Sequence, residues 1–118
     1  MKFVMNPDDL MEFCNATGCG ILEASRLLNK MRASLRKRVL LAAKMLNPDE
    51  RILRDPIEAD PRFGKLVREA ATRAQESIKG EGMGTCHRIW AEQARILKDE
   101  HGIDWYSPAQ MNPWILYD

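Results

Sequence analysis

Seven cations fall between residues 21 and 46 against one carboxylate: Arg26, Lys30, Arg32, Arg36, Lys37, Arg38 and Lys44 beside Glu23. At 100° per residue, Arg26, Lys30, Lys37 and Lys44 line up along one side of a helix, with Arg32 and Arg36 on a flank. By helical rise that ladder is about 27 Å long. Such a row suits a phosphate backbone, where it would displace counterions without reading sequence, with Arg36 and Arg38 assisting. No aromatic residue is interleaved in it, so stacking on single-stranded bases is not indicated. The same row also describes a solvated helix face, or one paired with the acids that follow at Asp49, Glu50, Asp55, Glu58 and Asp60. That plainer reading is preferred, with nucleic acid second and an acidic protein or lipid surface third.

Other reactive types are sparse. Cys14, Cys19, Cys86, His87 and His101 could in principle bring four ligands together, yet none has the tight spacing of a zinc site. His87 and His101 are too far apart to chelate from one straight helix, so packing roles are expected and no metal or cofactor is assigned. The segment GEGMGT precedes a helix start but lacks the lysine and strand of a phosphate loop. Cys86 and His87 are neighbours that a helix points about 100° apart, a poor geometry for a nucleophile and its base. With no catalytic motif in view, an enzyme is not expected.

These residues must be held by helices. The 118 residues make one domain by length, and 45% hydrophobic with 30% charged residues is globular composition. No apolar run approaches the ~18 residues of a membrane span, the start MKFVMNPDD is not a signal peptide, and three cysteines suit a reducing cytoplasm. The net charge of +1 hides a division, because residues 21–46 carry an excess of six positive charges and the remainder sums to −5.

All six prolines follow a capping residue (Asn6, Asn47, Asp55, Asp60, Ser107 and Asn112), so each pair predicts a helix start, some of only one turn. The expected elements are a helix from Pro7 to about Ala16 and one long helix from Ile21 to Leu46. Short turns follow around 48–60, then a helix from Pro61 to about Lys79 and a last one, capped by Thr85, from Cys86 to His101. The long helix holds no glycine or proline and would measure about 39 Å. Its apolar stripe is Ile21, Ala24, Leu28, Met31, Leu35, Val39, Ala42 and Leu46. Gly102 suits a left-handed C-cap, with Ile103 making the hydrophobic contact beyond it. Arg88 with Glu92 and Arg95 with Asp99 have i,i+4 spacing. The tail holds Trp105, Tyr106, Trp114 and Tyr117, suited to an interface or, as preferred here, to folding back on the body.

The run LMEFCNATGCGILEASRLL resembles two known patterns. One is the DNA-binding helix-turn-helix, with Gly18 in the turn; that likeness implies base contacts from Cys19, Ile21, Leu22 and Glu23, a poor hydrogen-bonding set. The other is the ubiquitin-associated-like motif at the front of elongation factor Ts. Leu10, Phe13, Thr17, Gly18, Gly20, Ile21 and Leu28 carry that resemblance over about 20 residues. It implies a further turn and third helix within about ten residues, where the expected long helix departs from the family.

The sequence therefore predicts an all-α single domain, 1–118. It comprises an N-terminal helical pair (1–46), a connector (47–60), a helical hairpin (61–101) and an aromatic tail packed on the body (102–118). The expected role is a non-catalytic cytoplasmic interaction or adaptor protein with a protein partner or a second copy of itself, and no membrane. The alternative is nucleic-acid binding through Arg26, Lys30, Arg36, Lys37, Arg38 and Lys44.

Overall fold

A computed structural model describes residues 6–47, 49–50, 52–78, 80 and 82–117. The fold is all-α, with no strand among the described residues. Its helices are α1 (Pro7–Thr17), α2 (Ile21–Lys30), α3 (Ala33–Met45), α4 (Pro61–Ser77), α5 (Thr85–His101) and α6 (Pro108–Met111), with a 3-10 turn at Pro56–Ala59. The chain forms two compact units, Met1–Arg54 and Asp55–Asp118.

The proline pairs act as starts. Asn6, Asp55, Asp60 and Ser107 each accept from a first-turn amide, and Ser107 with Gln110 closes a full capping box. Asn112–Pro113 opens only a turn, closed by the Ile115 amide on the Asn112 carbonyl. At the remaining pair, Asn47–Pro48, Pro48 lies outside the described residues, as does Lys79, the expected end of α4.

In the first unit, the single helix expected over 21–46 is two. Met31 (φ −75°, ψ 148°) and Arg32 (φ −61°, ψ 151°) are extended and separate α2 from α3. The cause is coverage. Helix α1 has 11 residues, hence a length of about 16 Å, and it packs against both α2 and α3. A rod of about 39 Å would carry much of its apolar stripe past that partner. Folding back instead buries Ala24, Leu28 and Met31 from one segment and Val39, Ala42 and Ala43 from the other. The freed backbone groups find substitutes. The Met31 amide donates to the Leu28 carbonyl at 3.3 Å, and Arg36 Nη2 donates to the Met31 carbonyl at 3.1 Å. Asn29 Nδ2 donates back to the Ser25 carbonyl, a local competition that weakens helix continuation at this point. The order helix, Thr-Gly-x-Gly turn, helix, turn, third helix is the one that the elongation factor Ts likeness implies.

The second unit is a hairpin of α4 on α5 whose core unites Val67, Ala70, Ala74, Ile96 and Leu97 with Ile103 and Trp105. Helix α5 ends as expected: Gly102 is left-handed (φ 65°), and the Ile103 amide returns to the Leu97 carbonyl, seating Ile103 in the core. Its start differs. Gly84 (φ 83°) is the N-cap, and Thr85 instead donates its hydroxyl to the Gly82 carbonyl. Arg95 meets Asp99 at 3.3 Å as expected, but Glu92 is taken by Arg95 rather than Arg88.

Residues 55–59, expected as connector, are part of this core. Buried Asp55 accepts from the Ile57 amide at 3.2 Å and the Tyr106 amide at 2.9 Å, while Trp105 Nε1 donates to Glu58 Oε2 at 2.9 Å. Gly64 lets α4 approach this turn, since a Cβ there would stand 2.5 Å from the Glu58 carbonyl oxygen. Gly64→Ala should therefore destabilise the protein even though alanine improves helix propensity by about 1 kcal/mol. Gly20→Ala, where a Cβ meets nothing within 4 Å, is the control in thermal melts; equal melting points for the two variants would contradict this.

Arg73 Nη1 and Nη2 clasp Glu100 Oε1 and Oε2 at 2.7 and 2.8 Å across the hairpin. The guanidinium holds the Glu100 carboxyl below its usual range, first by hydrogen bonding and then by charge. A carboxyl lowered in this way adds stability above its unfolded value and loses it as pH falls through the folded one. Both groups are exposed, so the contribution is small. In Arg73→Ala, Glu100 should titrate at higher pH in carboxyl carbon NMR; an unmoved titration would contradict the assignment.

Candidate interaction surface

The cations of the expected ladder are divided between two helices. Arg26 and Lys30 lie on α2, while Arg36, Lys37, Arg38 and Lys44 lie on α3. Lys44 Nζ meets Asp9 Oδ1 of α1 at 2.8 Å. That hydrogen bond, and then the Asp9 charge, hold the ammonium above its usual range. Arg36 is half-buried and turned onto the Met31 carbonyl. A straight row of four is thus not formed: its far end is neutralised by α1, and the break at Met31–Arg32 redirects the rest.

What remains is an elbow. Lys30, Arg32 and Lys37 are exposed and make no ion pair among the described residues, and Arg26 shares that condition one turn earlier. On α3 beside the elbow is a hollow of about 230 Å³, lined by Ala33, Arg36, Lys37 and Leu40. These positions share one helix face, and the wall is almost wholly carbon because the two cations present their aliphatic stems. Sequence reading placed the charges but missed the hollow, since Leu40 lay outside the main apolar stripe.

A second feature reverses an expectation. Ile21, assigned to the apolar stripe, is 55% exposed, and Leu22 beside it is 74% exposed. Together they form the first turn of α2 just after the glycine turn, where the helix-turn-helix likeness would put base-reading side chains. Branched aliphatics there supply no hydrogen bond to a base edge. Of the eight large apolar side chains exposed in the described residues, six lie in the first unit: Met11, Ile21, Leu22, Leu41, Met45 and Ile52.

The aromatic tail is folded onto the second unit. Trp105 lies in the core, and Tyr106, Trp114 and Tyr117 are half-buried. Trp90 of α5 stands edge-on to Tyr117, with ring centres 5.2 Å apart, and to His87 at 5.6 Å. His87 Nε2 donates to the Tyr117 carbonyl at 2.9 Å.

Comparison with protein-family models, curated proteins and solved structures finds no match to this chain. The chemistry must therefore be read from its own residues. Cys14, Cys19 and Cys86 form no disulfide among the described residues. Burial, and secondly the neighbouring Cys19, push the Cys14 thiol up, which reduces its thiolate and hence its nucleophilicity. No three His, Cys, Asp or Glu side chains among the described residues are grouped to hold a metal. A cleft of about 560 Å³ between the ends of α1 and α3 is lined by polar groups including Glu12, Asn15, Lys44, Asn47 and Glu50, with no thiol, hydroxyl or imidazole among its described residues. No helix in the described residues is long and apolar enough to cross a membrane.

Proposed function

We propose that this protein is a non-catalytic, cytoplasmic helical interaction module that binds another protein, or a second copy of itself, through its first unit. The concentration of exposed large apolar side chains on that unit carries the reading, above all Ile21 and Leu22 on one turn. Adjoining exposed apolar side chains, such as these two, are what protein contacts draw upon. The tail aromatics support it indirectly, because Trp105 is packed inside the second unit and leaves little of itself for a partner.

Sedimentation and cross-linking test this. The protein should self-associate or cross-link to a defined partner, and Ile21→Asp with Leu22→Asp should abolish that association without changing helicity, both side chains being more than half exposed. A strict monomer that cross-links to nothing would overturn it. A second reading, contact with nucleic-acid phosphates, is favoured by Arg26, Lys30, Arg32 and Lys37, which are exposed and make no ion pair among the described residues. It expects charge reversal at Lys30 and Lys37 to weaken binding to unrelated duplexes alike and flatten its salt dependence.

A further inference from the structure

We infer that the elbow between α2 and α3 is a docking site for an acidic amphipathic helix of a partner protein, which inserts an apolar side chain into the hollow on α3. This rests on the reading of the protein as an interaction module and names the chemistry of one of its partners. Three observations converge. First, the hollow of about 230 Å³ falls below the roughly 300–1,000 Å³ of small-molecule pockets, and so fits a protruding side chain better than a free ligand. Second, both charged residues that line it, Arg36 and Lys37, are cationic, and the exposed Lys30 and Arg32 lie just before α3 in the chain.

Third, the hollow discriminates between polyanions. A phosphate backbone offers nothing apolar to fill it, and bases would need an aromatic platform, whereas residues 21–45 contain no aromatic residue. A helix with leucines at i, i+3 and i+4 and glutamates flanking them satisfies both parts at once. The leucine covers Leu40 and Ala33, and the carboxylates lie over the cationic rim. Complementary charge then sets orientation and speeds encounter, while the apolar contact slows release.

The test uses the full chain and four labelled probes followed by fluorescence anisotropy. These are a Leu/Glu peptide with the leucines on one helical face, the same composition scrambled, a Leu/Lys counterpart, and a DNA duplex. The patterned acidic peptide should bind best. Arg32→Glu with Lys37→Glu should weaken it by about tenfold or more, as two attractive contacts become repulsive. Leu40→Ser, checked for retained helicity by circular dichroism, should weaken the patterned peptide while leaving the scrambled one unchanged. Equal binding of the scrambled peptide would overturn the inference, since charge alone would then suffice. Tighter binding of the duplex, or no binding of the patterned peptide, would overturn it too. If association sensitive to Ile21 and Leu22 persists while the peptide fails, the docking site falls and the interaction module stands.

Discussion

Phe13→Ala should unfold the first unit while the second remains folded. Phe13 is fully buried on α1, the helix against which both α2 and α3 pack. Truncating such a ring removes its transfer free energy and leaves a cavity, together about 3–5 kcal/mol. A helical unit this small has a margin of similar size, roughly 3–5 kcal/mol, from its core. The elbow at Met31–Arg32 exists because α1 covers both segments, so losing the anchor of α1 should release α2 and α3 together. The readout is built into the chain. All three tryptophans, Trp90, Trp105 and Trp114, belong to the second unit, so far-UV dichroism should drop while indole emission stays native. Retained helicity, or a red shift of the emission, would contradict the prediction.

Trp105→Ala should have the matching effect on the second unit, about 3–5 kcal/mol by the same cavity argument. Trp105 is 7% exposed, lies in the core beside Ile96, Leu97 and Ile103, and donates to Glu58 from its indole nitrogen. Trp105→Phe separates the two contributions. It keeps much of the apolar volume and removes the charge-assisted hydrogen bond, so about 1.5–3 kcal/mol should be lost. Urea unfolding followed by dichroism at 222 nm measures both. A midpoint for the alanine variant equal to that of the phenylalanine variant would show that packing contributes little, and the core assignment of Trp105 would fail.

These two residues show different degrees of legibility. The helix boundaries set by short-range chemistry could be read directly. An oxygen-bearing side chain before proline, as at Asn6, Asp55, Asp60 and Ser107, satisfies its own first turn whatever surrounds it. Gly18 and Gly102 occupy left-handed positions (φ 79° and 65°) that the local chain demands. The all-α class followed from the same signals and from apolar spacing. Ile103 was legible too, because its contact lies within one turn of the cap that creates it.

The elbow was not legible, because no residue in NKMRAS forbids a helix. A periodic stripe states which side chains seek burial but not the length of the surface that will cover them, and α1 is less than half as long as the expected rod. The same limit hid the role of Gly64, which is visible only beside the Glu58 carbonyl, and the neutralisation of Lys44 by Asp9, 35 positions earlier in the chain. It also misplaced Ile21, periodic with the core yet left outside it. Local hydrogen bonding and backbone sterics were therefore written in neighbouring residues. The bend, the dispersal of the cationic row and the hollow beside Leu40 were decided by packing, where the reach of one helix determines how much of another stays in water.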